Sequence, residues 1–424
     1  MTKGALWRLY LAASMLAAPL LRRHLVRRLA RGKEDPLRWR EKLGQPSLPR
    51  PDGPLIWLHA VGVGEVLALP ALARALRAHR PGVQVLITSS TRTSAAALAP
   101  NLPAGVLHQF LPLDAARFVG TFLDHWRPDL AVWAERDIWP GMVAALAARQ
   151  VPQVLVNGRM DRASLRAKAR AGRLFRDLYR VMDTVGVQDP ATAAHFAALG
   201  VVPGRICLDG SLKSGADPLA DMPVLRAKWQ ALLAGRRVWL AASTHPGDEA
   251  LVAQAHALLR RSDPDACLIM APRDPNRAGA VAATLRASGF RAGLTTGAAP
   301  GFDAYVVPVI GQMGLWYRLA DAALVGGSLT PVGGHNPYEP ALLGCAILHG
   351  PHVANFAADY AAFHAAGAAR LVGNAGDLAA ALADPRLQQQ CAAAAAVAQR
   401  GRAALDLVAQ RLLAVMAAGG KGGA

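Results

Sequence analysis

The chain is poor in cysteine and in acidic residues, and each shortage excludes a class of protein. Its four cysteines, Cys207, Cys267, Cys345 and Cys391, are scattered and form no CxxC pair. The sequence therefore favours neither a disulfide framework nor a zinc site, and it fits a reducing compartment. Only 29 acidic residues stand against 47 Lys and Arg, which gives a formal net charge of +18. A surplus of this size predicts an anionic partner: a nucleic acid, a membrane surface or a phosphorylated substrate.

Aromatic residues are also scarce, and this decides among the anionic partners. The chain has only six Tyr and nine Phe, and no stretch interleaves them with bases as nucleic-acid platforms do. We therefore expect a membrane surface or a phosphorylated substrate, and no nucleic acid. A hydrophobic content of 53% with 18% charged residues indicates folded domains rather than disorder.

Long apolar runs are missing too. The uncharged stretch Leu9–Leu21 has thirteen residues, fewer than the ~20 that span the hydrocarbon of a bilayer. By the positive-inside rule, the bases after it predict that the rest of the chain is cytoplasmic. We expect residues 1–35 to form a basic membrane-anchor helix that spans the membrane or lies in its interface. The alternative is the buried first helix of a soluble domain. The bases are Arg22, Arg23, Arg27, Arg28, Arg31 and Lys33.

From residue 54 onward, short apolar runs alternate with helix-length segments, the pattern of parallel α/β sheets. The pattern restarts after residues 213–222. It predicts two Rossmann-like domains, 36–215 and 216–424, facing a central cleft, with ligands at the carboxyl ends of the strands. The Ala-rich segment 387–416 is predicted to be a helix that packs back on the body. The predicted strands are Leu55–Val61, Val83–Thr88, Leu130–Trp133, Val154–Val156, Thr184–Val187, Arg237–Ala242, Cys267–Ala271, Ala304–Val307, Ala322–Val325 and Ala346–Leu348.

The most informative stretch, residues 326–339, follows one of these strands. Its two Gly-Gly pairs allow backbone N–H groups to approach a ligand closely. Asn336 is predicted to cap the next helix, with Pro337 in its first position and Glu339 completing a capping box. Pro340 cannot donate a backbone hydrogen bond, which suggests a start shifted by one residue. Such a turn is either an anion site or a tight connection without a ligand.

Two charged side chains that follow predicted strands have the chemistry of a group-transfer site. Glu65 lies at a strand-to-helix junction and could take a proton from an acceptor hydroxyl. The alternative is a first-turn Glu that only complements the helix dipole. Arg273 could clamp a phosphate or a carboxylate with two hydrogen bonds. The sequence contains neither a metal-binding cluster nor a Walker loop, so we predict a site without a metal.

Two further charged stretches each leave two interpretations open. Residues 133–140 place Glu135, Arg136 and Asp137 between two Trp residues. This indicates either the wall of a site or a solvated turn whose rings cover the core. The bases of residues 159–176 form either a solvated helix face or a surface that collects phosphorylated lipid.

Taken in order, these motifs resemble those of the 3-deoxy-D-manno-octulosonic acid (Kdo) transferases, inner-membrane enzymes of lipopolysaccharide biosynthesis. The resemblance implies a GT-B fold and an inverting transfer of Kdo from CMP-Kdo to the lipid A precursor, lipid IVA. It also implies a reaction without metal or cofactor, at the anionic cytoplasmic face of the bacterial inner membrane. The motifs are HAVGVGEV, AERDIWP, NGRMDRAS, GSLK, ASTHPGDE, APRDPNR and VGGSLTPVGGHNPYEP.

The resemblance also implies roles for individual residues. Glu65 would be the general base that deprotonates the sugar hydroxyl of the lipid. Glu135 and Lys213 match family residues that assist the transition state. The donor-binding residues would be Pro272, Arg273, Ile310, Gly311, Gln312, Asn336, Pro337, Tyr338 and Glu339.

Three positions depart from the family pattern. Gly62 stands where Ser is usual, and Asp274 where His follows Pro-Arg. Pro308–Gln312 replaces Asp-Thr-Met-Gly-Glu. These departures leave the details of donor contact open. The alternative functions are a GT-B transferase or epimerase that uses a UDP-sugar, and a non-enzymatic basic protein that binds an anionic membrane or nucleic acid.

Overall fold

The structure is a computed structural model that describes residues 4–135, 138–215, 217–297 and 300–419. The chain divides into two compact units. The first contains the residues up to Gly215 together with those from Gly401 onward, and the second contains the residues between them. The described part of each unit is built on a parallel sheet of its own.

The N-terminal residues form two helices, α1 (Ala5–Leu16) and α2 (Ala18–Ala30), which pack on the first unit. The buried Trp7 donates from Nε1 to the carbonyl of Pro140 at 3.1 Å, and the Tyr10 hydroxyl donates to Asp114 Oδ2 at 2.7 Å. Among the described helices, none is long and apolar enough to cross a membrane. In place of the single anchor helix that the sequence predicted, the described residues form two helices, one of which bonds the rest of the first unit. A position of these helices in the membrane interface stays a prediction.

The strands of the first unit are all parallel and consist mostly of buried apolar residues, as expected for a sheet covered on both faces. They are β1 (Leu55–His59), β2 (Gln84–Ser89), β3 (Val106–Phe110), β4 (Leu130–Ala134), β5 (Gln153–Gly158), β6 (Thr184–Val187) and β7 (Ile206–Leu208). In the described part, their order across the sheet is β3-β2-β1-β4-β5-β6-β7.

Helices connect these strands and cover the sheet. Leu405, Val408 and Leu412 of the last helix complete its core. A short 3₁₀ turn, Leu212–Gly215, ends the first stretch of the unit. The connecting helices are α3 (Val63–Val66), α4 (Leu69–His79), α5 (Arg92–Leu98), α6 (Ala116–Trp126), α7 (Pro140–Ala148), α8 (Arg162–Arg170), α9 (Leu174–Arg180) and α10 (Pro190–Ala198).

The second unit repeats this plan. Its strands are β8 (Val238–Thr244), β9 (Cys267–Pro272), β10 (Ala292–Leu294), β11 (Ala304–Val306), β12 (Ala322–Val325), β13 (Ala346–His349) and β14 (Ala369–Leu371). In the described part their order is β10-β11-β9-β8-β12-β13-β14. The helices are α11 (Pro223–Leu232), α12 (Pro246–Ser262), α13 (Ala278–Ala287), α14 (Met313–Leu319), α15 (Tyr338–Leu342), α16 (Ala357–Ala365) and α17 (Ala375–Ala383). The last helix, α18 (Leu387–Gly419), begins in this unit, and its residues from Gly401 onward belong to the first.

Candidate active site

Glu65 lies in the first turn of α3, directly after β1. Its Oε2 accepts hydrogen bonds from the backbone N–H groups of Val61, at 3.2 Å, and Gly62, at 3.0 Å. Glu65 is therefore placed to complement the helix dipole, as one interpretation predicted, and its carboxylate is also held in a fixed position. A Cβ on Gly62 would lie 3.4 Å from Glu65 Oε1, so the Ser usual in the family would contact this carboxylate. The glycine leaves that side of the carboxylate open.

Lys213 and Glu135 belong to the same unit as Glu65. Lys213 lies in the turn after β7, and its Nζ is 3.9 Å from the position that a Cβ on Gly64 would take. Glu135 follows β4 and is nearly buried, with a left-handed φ of 63°. The structure thus places all three predicted catalytic residues after strands of one sheet, where the strands end.

Glu135 is held by Asn157, a residue to which the sequence analysis gave no role. Asn157 Nδ2 donates to Glu135 Oε1 at 3.0 Å, and Asn157 Oδ1 accepts from the backbone N–H of Leu212 at 3.0 Å. The signal that could have identified it is an amide at the end of a buried apolar run. Trp133, two residues before Glu135, is fully buried in the core, which agrees with the interpretation that the Trp rings of this stretch cover the core. Arg136 and Asp137 lie outside the described residues.

In the second unit, the buried Asp248 joins two turns. Its Oδ2 accepts from the backbone N–H groups of His245, at 2.9 Å, and Gly327, at 2.8 Å. Gly327 has a φ of 64°, and a Cβ on Gly326 would lie 2.5 Å from the Ser243 carbonyl oxygen. Both glycines are therefore required by the close approach of the turns. The available signal for Asp248 was a carboxylate three residues after His245, the spacing of a capping box at the start of α12.

His245 and His335 form a pair at this junction. Their rings are stacked with planes 12° apart, and the two Nε2 atoms are 3.1 Å apart. Burial, together with the neighbouring Arg273 and His245, lowers the pKa of His335 to about 4, although the nearby Asp248 carboxylate acts in the opposite direction. His335 is therefore neutral at physiological pH, and the short distance between the two Nε2 atoms is that of a hydrogen bond between the rings.

Glu339 lies close to Arg273 and Asn336. Burial raises the pKa of Glu339, and this effect outweighs the hydrogen bond from Asn336 and the charge of Arg273, so that the pKa is about 7. Arg273 itself is exposed, just beyond the end of β9. The structure thus brings together a guanidinium, an amide and a carboxyl group, which can bind a phosphate and sugar hydroxyls.

The helix after the glycine-rich turn differs in detail from the prediction. It begins at Tyr338, so Pro337 rather than Asn336 occupies the cap position. Asn336 Oδ1 still accepts from the backbone N–H of Tyr338 at 3.0 Å, while Glu339 bonds the Asn336 side chain. Pro340 causes the shift, as the sequence suggested. Because α15 has only five residues, an anion here would depend on Arg273 rather than on the helix dipole.

The remaining predicted donor residues are more dispersed. Pro272 is the buried last residue of β9. Ile310 is exposed at 86%, and Gly311 and Gln312 precede α14. Asp274 faces its own turn, where Oδ1 accepts from the backbone N–H and the side-chain amide of Asn276 at 3.1 and 3.0 Å. Its negative charge is thus partly satisfied locally.

Comparison with known proteins identifies the family. The family model described as 3-deoxy-D-manno-octulosonic-acid transferase (kdotransferase) matches residues 37–216. A probable mitochondrial 3-deoxy-D-manno-octulosonic acid transferase from Arabidopsis thaliana is 32% identical over 369 residues, which cover 82% of this chain and 80% of that protein. The chain belongs to the Kdo transferases. A second relative, the Kdo transferase of Bordetella pertussis, is 33% identical over 321 residues, covering 73% of this chain and 74% of its own.

Solved structures support the fold of this Kdo transferase. The UDP-GlcNAc 2-epimerase of Neisseria meningitidis, solved with bound UDP-GlcNAc, matches with a TM-score of 0.55 at 11% identity, covering 85% of this chain and all 100% of that chain. At this identity the likeness concerns the fold alone. It confirms the predicted α/β class with two parallel sheets, and the family membership confirms the predicted glycosyltransferase. The roles of the individual site residues stay predictions.

Proposed function

We propose that this Kdo transferase moves Kdo from CMP-Kdo to lipid IVA with inversion at the anomeric carbon and without a metal ion. The observation that carries the proposal is the geometry of Glu65. Its Oε2 is fixed by two backbone N–H groups, while Oε1 accepts no hydrogen bond from the described residues. A carboxylate fixed through one oxygen can take a proton from a sugar hydroxyl with the other.

The donor would be bound by the second unit. The exposed guanidinium of Arg273 matches the CMP phosphate, and Asn336 and Glu339 offer an amide and a carboxyl group to the ribose hydroxyls. In the reaction, the acceptor oxygen forms a bond to the anomeric carbon and its proton passes to Glu65. The bond from that carbon to the phosphate oxygen breaks, and the cationic side chains stabilise the departing CMP. Lys213 and Glu135 would assist on the acceptor side.

Incubation of the full chain with CMP-Kdo and lipid IVA tests this proposal. We expect release of CMP and a lipid product whose mass has increased by one or more Kdo units. Folded protein that gives no product would reject it. CMP should also raise the melting temperature more than UDP does, because Kdo is carried by CMP. A larger effect of UDP would instead favour a UDP-sugar transferase or epimerase.

We further propose that the enzyme lies on the anionic cytoplasmic face of the inner membrane, with α1 and α2 in the interface. Leu9, Leu16 and Leu20 are 66%, 81% and 73% exposed, and they lie among exposed arginines. This combination favours an interfacial position. The backbone N–H of Gly4 donates to Asp177 Oδ2 at 2.8 Å, so α1 begins beside the basic residues 159–176. The exposed arginines of the two helices are Arg8, Arg22, Arg23 and Arg27.

Vesicle flotation tests the membrane proposal. Replacing Leu9, Leu16 and Leu20 with Ser should lower binding to phosphatidylglycerol-containing vesicles by at least about tenfold, because each buried CH₂ group contributes ~0.8 kcal/mol. Added salt should weaken binding of the parent chain. Leu208→Ser is the matched control, since Leu208 is 63% exposed but lies away from these helices in sequence. Equal binding by the triple variant and the parent would contradict the proposal.

A further inference from the structure

Asn157 occupies an unusual backbone position at the end of β5. It is 1% exposed and has a left-handed φ of 55°. The register between β5 and β6 shifts between Leu155 and Gly158, so the strand is irregular at this residue. A left-handed conformation costs a non-glycine residue about 1–3 kcal/mol, and it persists where the surroundings impose it. Irregular strand ends of this kind re-aim side chains next to active sites.

Both polar atoms of the Asn157 side-chain amide form hydrogen bonds. Its Nδ2 donates to Glu135 Oε1 at 3.0 Å. Its Oδ1 accepts from the backbone N–H of Leu212 at 3.0 Å and from Gln188 Nε2 at 2.9 Å. Donating to a carboxylate while accepting from two N–H groups requires an amide, because an Asp carboxylate has no proton to donate. The bond to Leu212 holds the first residue of the turn that carries Lys213.

We infer that Asn157 is a positioning residue of the transfer reaction. Its hydrogen bonds to Glu135 and to Leu212 fix the Glu135 carboxylate relative to the turn that carries Lys213. The three residues lie at or after the ends of three different strands, β5, β4 and β7. The inference rests on the proposed function, in which Glu135 and Lys213 assist the transition state. Displacing such groups by 1 Å costs a rate factor of about 10².

Two variants separate the contributions of Asn157. Asn157→Asp keeps the acceptor for Leu212 but places an oxygen where Nδ2 now lies 3.0 Å from Glu135 Oε1, so the carboxylates repel. Asn157→Gly removes both bonds and suits the positive φ, which protects folding. Both should lower kcat by about 10²-fold with KM for CMP-Kdo within about twofold of the parent, because ground-state donor binding is unchanged.

Gln153→Ala is the matched control. Gln153 is a buried amide in the same strand, but it lies at the other end and bonds Trp133 Nε1 at 3.2 Å and the Val143 carbonyl at 3.0 Å. This variant should lose stability and keep its kcat. A parent-like kcat in Asn157→Asp, or an equal loss in Gln153→Ala, would overturn the inference.

Hydrogen exchange gives a readout that does not depend on activity. The amide of Leu212 should exchange faster in Asn157→Gly than in the parent, with exchange in β1 unchanged. Unchanged exchange at Leu212 would also overturn the inference. If the parent transfers no Kdo while Leu212 exchange responds as expected, the proposed function fails and the hold of Asn157 on this turn stands.

Discussion

Replacing Glu65 with Gln is expected to lower kcat for Kdo transfer by about 10²- to 10⁴-fold, the usual contribution of a general base. The Gln side chain can still accept the hydrogen bonds from Val61 and Gly62, so α3 should form normally. It cannot take the proton of the acceptor hydroxyl at neutral pH. Affinity for CMP-Kdo, measured by calorimetric titration, should stay within about twofold of the parent, because the base acts only on the acceptor.

Asp189→Asn is the control for this substitution. Asp189 is also a carboxylate at a strand-to-helix junction of the first unit, where Oδ1 accepts from the backbone N–H of Thr192 at 2.7 Å. Asn caps helices about as well as Asp, so this variant should retain parent-like turnover. An active Glu65→Gln variant would contradict the role of Glu65 as the base. A variant that loses both turnover and CMP-Kdo binding would indicate a structural role instead.

Glu339→Gln is expected to stabilise the protein at pH 8 by about 3 kcal/mol, because each pKa unit corresponds to ~1.4 kcal/mol. Burial raises the pKa of Glu339 from its ordinary value of 4.5 to about 7. The folded chain therefore holds this proton more tightly than the unfolded chain. The contribution of Glu339 to the free energy of unfolding is therefore highest below pH 4.5, falls as the pH rises toward 7, and is lowest above that. A Gln has no proton to lose.

Calorimetric unfolding of the parent and the variant at pH 4 and pH 8 measures this difference. The variant should gain most at pH 8, and the two proteins should converge at pH 4, where Glu339 is protonated in both states. Glu249→Gln should show the opposite sign at pH 8, because the Glu249 carboxylate accepts two bonds from Arg277 at 2.7 and 2.9 Å. A Glu339→Gln variant that is less stable than the parent at pH 8 would contradict the prediction. A carboxyl group that costs stability at neutral pH is typical of a ligand site.

The strands that the sequence predicted and those that it missed differ in their place in the sheet. Thr184–Val187 and Ala322–Val325 were predicted with the observed bounds, and both are interior strands. Interior parallel strands are buried on both faces and therefore read as continuous apolar runs. The four missed strands, β3, β7, β10 and β14, are the edge strands of the two sheets. Edge strands are short or carry polar residues, so their pattern resembles that of a loop.

Candidate site residues could be proposed from the sequence where their chemistry is local, and their roles stay predictions. Glu65 and the 326–339 turn each combine a strand end, glycines and a charged side chain within a few residues, so a motif identifies them. The sequence predicted one anchor helix where the structure has two helices, α1 and α2, because apolar content does not reveal which partner covers a helix. Trp7 bonds Pro140 and Tyr10 bonds Asp114. These partners are distant in sequence, so the sequence could not show that this face of α1 packs against protein.

The sequence by itself determined that this protein has two parallel α/β sheets, a basic surface and the motifs of a Kdo transferase, because periodicity and local turn chemistry are properties of neighbouring residues. Only the tertiary structure decided which side chains meet. Asn157 reaches Glu135 across 22 residues and Leu212 across 55, and Asp248 reaches Gly327 across 79. Parallel strands place distant carboxyl ends side by side, and the register that aligns them follows from packing of the whole sheet. The same packing sets the burial that raises the pKa of Glu339.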